Sequence, residues 1–82
     1  RLYRARKKYL EDLGPLEAGI EKAEKRVADI DRTLSEPATL ADPERVKGLL
    51  LERADLQKKL LPMLERWEEL MGSLEAAARE AR

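Results

Sequence analysis

The 82-residue chain contains no cysteine, no histidine and no phenylalanine. Without cysteine there is no disulfide framework and no thiolate chemistry. Without histidine as well, zinc sites and the commonest general base are excluded. Aromatic residues are only 4% of the chain, and glycine and proline number four each. No apolar run approaches the roughly 18 residues of a membrane span, and no signal-peptide pattern is present. There is no Gly-rich phosphate loop, no nucleophile elbow and no metal-ligand spacing. The formal net charge is zero, so only the distribution of charge bears on nucleic acid as a partner. The chain opens on Arg1 rather than Met, and is expected to be a piece of a longer cytoplasmic protein.

What the chain has instead is charge, at 41% of its residues, and leucine. That balance suits long, solvent-washed helices better than a round core with a cleft. Such a chain buries a seam but hardly a pocket of enzyme size, so no catalytic site is expected in it.

Leu60 to Leu70 is the stretch around which the rest is arranged. Leu60, Met63, Trp67 and Leu70 are spaced four, three and four apart, as in the apolar seam of a coiled coil. The seam extends over Val46, Leu49, Arg53, Leu56, Leu60, Met63, Trp67, Leu70, Leu74 and Ala77. Arg53 is its one charged interruption, with a stem able to lie along the groove while the guanidinium reaches water. A matching seam occupies Leu13, Leu16, Ile20, Ala23, Val27, Ile30 and Leu34.

Proline sets the boundaries. Gly14-Pro15 predicts a main helix from about Pro15 to residue 35, after a shorter, kinked lead-in over residues 1–14. Pro37 makes Glu36 non-helical, and the turn spans 36–42. Ala38 to Ala41 suit one 3₁₀ turn, with Leu40 tucked onto the helix ends. Asp42-Pro43-Glu44 starts a second helix, with Asp42 as N-cap, running to about residue 80. Pro62 predicts a kink or widening near Lys58 to Pro62. The Ala-rich tail from Glu75 is expected to fray.

A short connection makes the two helices antiparallel, an all-α coiled-coil hairpin. Facing residue numbers then sum to about 83. Ile30 faces Arg53, Val27 faces Leu56, Ala23 faces Leu60, Ile20 faces Met63, Leu16 faces Trp67 and Leu13 faces Leu70. The same register sorts charge. Glu17, Glu21, Glu24 and Asp31 line one flank. Lys22, Lys25, Arg26 and Arg32 line the other side, with Asp29 as the exception, and Lys58, Lys59 and Arg66 join them from the second helix. Arg26 and Lys59 are expected close together across the groove. Arg4, Arg6, Lys7 and Lys8 form a basic arm at the start, flanked by Tyr3 and Tyr9. These cations are either an ordinary solvated face or a phosphate-tracking stripe. So few aromatics disfavour base stacking and sequence-specific reading.

Taken together, Tyr9-Leu10-Glu11, Gly14-Pro15, Ile20-Glu21, Glu36-Pro37, Asp42-Pro43-Glu44-Arg45-Val46 and Glu65 to Leu70 form an ordered series. In that series the chain resembles the C-terminal coiled-coil domain of ABC-F ATPases of the Uup type, over about Tyr3 to Leu74. Gly14 stands where the family prefers Leu, and Pro62 where it prefers a helix former. The resemblance implies an antiparallel coiled coil at the end of a soluble, cytoplasmic protein with two ATP-binding cassettes. ATP and Mg belong to those cassettes, and no cofactor is expected in this piece. It further implies DNA as a partner, with RNA or the ribosome as alternatives. The hairpin itself is expected to be monomeric or weakly self-associating. Off-seam Leu50, Leu51 and Leu61 support a different reading, a spacer or a hairpin that docks on protein, such as its own cassettes. A tRNA-binding hairpin of an aminoacyl-tRNA synthetase is a further alternative.

Overall fold

A computed structural model describes residues 2–80 of the chain, with side chains from Arg6 onward. Three helices follow one another: α1 (Leu2–Leu34), α2 (Pro37–Leu40) and α3 (Pro43–Glu80). α1 and α3 lie side by side along their length, and α2 caps the end where the chain turns back. The result is a rod of 59 × 16 × 16 Å. At about 1.5 Å per residue, a helix the length of α3 spans about 57 Å, so one helix sets the length of the rod.

The turn follows from its residues. The last turn of α1 tightens, with Ser35 N–H donating to the Arg32 carbonyl and Glu36 N–H to that of Thr33, both at 3.1 Å. The Thr33 hydroxyl donates to the Asp29 carbonyl (2.9 Å) and that of Ser35 to the Arg32 carbonyl (2.6 Å). Glu36 is extended (φ −78°, ψ 129°), as the ring of the following proline requires. Pro37 then opens α2, where its missing N–H costs nothing. Asp42 caps α3, its Oδ1 accepting from the Arg45 N–H at 3.3 Å.

The turn corrects one expectation. Leu40 does not tuck onto the helix ends; it is 59% exposed, while Thr39 is buried at 1%. α2 is a single α-helical turn, with Leu40 N–H bonded to Glu36 and Ala41 N–H to Pro37. Successive residues on such a turn point about 100° apart, so burying Thr39 rotates Leu40 outward.

The core is the expected seam. Ile20, Ala23 and Leu60 are buried together, with Leu16, Val27, Leu56, Met63 and Trp67 packed against them. Leu13, Ile30, Leu70 and Ala77 are also buried. Trp67 is half-buried rather than wedged out of solvent. Its indole Nε1–H donates to Glu17 Oε2 at 3.0 Å, which draws the ring to the rim of the seam.

The separate lead-in before Pro15 is not found: α1 runs unbroken from Leu2 through Pro15. Pro15 removes the donor that the Glu11 carbonyl needs. Glu11, Gly14 and Pro15 are all exposed, so water can take that place. Gly14 has no Cβ to clash with the following ring. Leu13, 4% exposed on the seam, holds this stretch in line with α3. α3 likewise passes through exposed Pro62 and runs to Glu80, where the second helix was expected to end. Residues 1, 81 and 82 and the side chains of Tyr3 and Arg4 lie outside the described residues.

Candidate nucleic-acid interface

The heptad positions on either side of the seam form two edges of the rod. In an antiparallel pair, like flanks meet. One edge joins Lys22, Arg26 and Asp29 of α1 to Glu52, Asp55, Lys59, Arg66 and Glu69 of α3. Of the expected cations it carries Lys22, Arg26, Lys59 and Arg66, but not as a bare row. Arg26 grips Glu52 with two bonds, Nε to Oε2 at 2.5 Å and Nη2 to Oε1 at 2.8 Å. Lys59 Nζ lies 2.9 Å from Asp55 Oδ2, and Arg66 Nη1 lies 3.2 Å from Glu69 Oε2. Arg32 pairs with Asp29 one turn back. Arg26 therefore meets a carboxylate across the groove, where the sequence reading set it beside Lys59. Glu52, Lys59 and Arg66 share one heptad row at spacings of seven, so the row that supplies Lys59 and Arg66 also supplies the carboxylate that meets Arg26.

The remaining candidates behave differently. Arg6, Lys7, Lys8, Lys22, Lys25 and Lys58 are exposed and have no ion-pair partner among the described residues. These six present uncompensated charge, and the four paired cations are screened by their carboxylates.

Arg53 confirms its double character. It is half-buried on the seam, and its Nε donates to Asp31 Oδ1 at 2.6 Å, with Nη2 to Oδ2 at 3.3 Å. The hydrogen bond from Arg53 holds the Asp31 carboxyl below its ordinary range, and the bond from Arg26 does the same for Glu52. Both pairs are solvent-washed, so they fix side-chain geometry more than they stabilise the fold.

The opposite edge is different in kind. Glu17, Glu21, Glu24 and Asp31 line it on α1, while α3 supplies Leu50, Leu61 and Leu64, 50%, 61% and 38% exposed. Two shallow hollows lie along it. One, of about 320 Å³, is bounded by Glu24, Ala28, Asp31, Gln57, Leu61 and Leu64. The next, of about 360 Å³, lies between Glu17, Glu21, Leu64 and Trp67. Among the described residues no group of three or more acidic, His or Cys side chains is placed to hold a metal ion. No helix among them is long and apolar enough to cross a membrane.

Two long antiparallel helices joined by a proline-opened turn make this an all-α coiled-coil hairpin. The family model of the ABC transporter C-terminal domain matches residues 1–71, and the chain belongs to that family. No curated protein and no solved structure matches the chain.

Proposed function

We propose that this hairpin is the nucleic-acid-binding appendage of a cytoplasmic ABC-F ATPase of the Uup type, touching the phosphates of duplex DNA without reading sequence. The observation that carries the reading is the set of exposed cations lacking a carboxylate. Arg6, Lys7 and Lys8 sit near the open end of α1, and Lys22, Lys25 and Lys58 lie further along the rod. Arg26, Arg32, Lys59 and Arg66 are a reserve: their pairs are exposed, and a phosphate can replace the carboxylate at little cost. Family membership supports the setting, in which ATP and Mg act in the parent cassettes and this domain works as their partner. The single half-buried Trp leaves no stacking platform, consistent with backbone rather than base contact.

The test is fluorescence anisotropy with a duplex of about 20 base pairs, titrated at several salt concentrations. Each lost phosphate contact lowers the salt slope by about 0.9. The triple variant Lys22→Glu, Lys25→Glu, Lys58→Glu should lower it by up to about 2.7. The triple variant Arg6→Glu, Lys7→Glu, Lys8→Glu should act in the same direction. An unchanged affinity and slope in both triples would sink the assignment. Parallel titration with duplex RNA separates DNA from an RNA or ribosomal partner.

A further inference from the structure

The acidic edge carries a second seam that the hairpin itself does not fill. Leu50, Ala54, Gln57, Leu61 and Leu64 follow one another at spacings of four, three, four and three, all on the exposed surface of α3. That spacing marks one face of a helix built to lie against another. The run covers about 21 Å, or four turns. The wall beside it on α1 has one sign: Glu17, Glu21, Glu24 and Asp31, interrupted only by small Ala28. Small Ala28 on one side and polar Gln57 on the other leave the hollow between Leu61 and Leu64 unfilled. The other edge pairs its charges through Arg26–Glu52, Lys59–Asp55 and Arg66–Glu69, whereas on this one Asp31 alone among the described acids has an ion-pair partner, Arg53. Glu17 is engaged by Trp67 and Asp31 by Arg53, but Glu21 and Glu24 have no ion-pair partner among the described residues.

We infer that this groove docks a basic amphipathic helix of a partner protein. Its apolar residues would seat on Leu50, Leu61 and Leu64, and its lysines or arginines would meet Glu21 and Glu24. Charge decides the occupant. A second copy laid face to face brings carboxylate against carboxylate, and nucleic acid is repelled by the same wall. A cationic helix gains on both counts, with leucine anchors for affinity and the acidic rim for orientation. This surface is distinct from the cations invoked for DNA, so either assignment can fail alone.

Trp67 lines the groove and is the only tryptophan, so its emission reports occupancy directly. The probe is a 15-residue helical peptide with leucines at one heptad seam and lysines on both flanks. A scrambled peptide of equal composition and a peptide with glutamate replacing lysine serve as controls. Saturable binding of the first alone is the expected result. Leu61→Asp should weaken it about tenfold or more, the worth of one buried leucine. Glu21→Lys with Glu24→Lys should weaken it and flatten its salt dependence. Because Glu21, Glu24 and Leu61 are all exposed, helicity by circular dichroism should be unchanged in these variants, which separates docking from folding. Equal binding of the scrambled peptide overturns the inference. So does binding unaffected by these variants, or sedimentation showing a dimer of this chain that Leu61→Asp dissociates.

Discussion

Leu60 and Leu61 are neighbours in sequence with opposite fates, and truncating each tests the packing directly. Leu60 is 6% exposed and sits against Ile20 and Ala23, with Leu56 and Met63 around it. Leu60→Ala removes three carbons from this site, about 2.4 kcal/mol at roughly 0.8 kcal/mol per buried methylene. A cavity term adds to that. Ala23 has only a methyl to offer, and two helices held along their whole length cannot close over a single gap. The total should be about 3 kcal/mol, within the usual range for such truncations. For a domain of this size that corresponds to a fall in Tm of about 12–24 °C. Leu61 is 61% exposed, and Leu61→Ala should change stability by no more than about 0.5 kcal/mol. Urea and thermal unfolding followed by circular dichroism at 222 nm would measure both. If the two variants lost similar stability, or Leu61→Ala lost more, the rotational setting of α3 against α1 would be wrong.

Two smaller effects can be read from the same experiments. An added Cβ at Gly48 meets nothing within 4 Å, in the interior of α3. Gly48→Ala should therefore stabilise the hairpin by about 0.5–1 kcal/mol, and a lower melting temperature would argue against an unbroken helix there. The Asp31 and Glu52 carboxyls are held below their ordinary range by hydrogen bonds from Arg53 and Arg26. A depressed folded pKa adds stability above the unfolded value, near pH 4, and that stability is lost as pH falls through the folded value. Stability should thus be level from neutral pH down to about pH 5 and decline below about pH 4. Asp31→Asn with Glu52→Gln should flatten that acid limb, and an acid limb of unchanged steepness would show that these pairs carry none of it.

The hairpin and its register were legible in the residues themselves. Alternating spacings of three and four define one apolar stripe per helix, and the prolines at 37 and 43 bound the only short connection. Once two stripes of fixed position must meet across that turn, facing pairs follow by counting. Ile20, Ala23 and Leu60 accordingly cluster as the numbering requires. The shared edge of Glu17, Glu21, Glu24 and Asp31 on α1 was legible for the same reason, since heptad position decides which flank a residue joins, but Asp29, Glu52, Asp55 and Glu69 lie among the cations on the other edge.

Other features were decided only by tertiary structure. Whether Pro15 ends a helix depends on its surroundings: here water reaches the orphaned carbonyl of Glu11 while Leu13 stays anchored on α3. Which carboxylate each cation takes depends on the rotation and stagger of the two helices, and so Arg26 found Glu52 rather than a neighbouring lysine. Trp67 was fixed at the rim, not the centre, by its bond to Glu17, fifty residues away in sequence. Local patterns specify which face of a helix is apolar, because that is a property of one segment. Ion pairs and partial burial are set by distances between segments, and only the folded arrangement defines those.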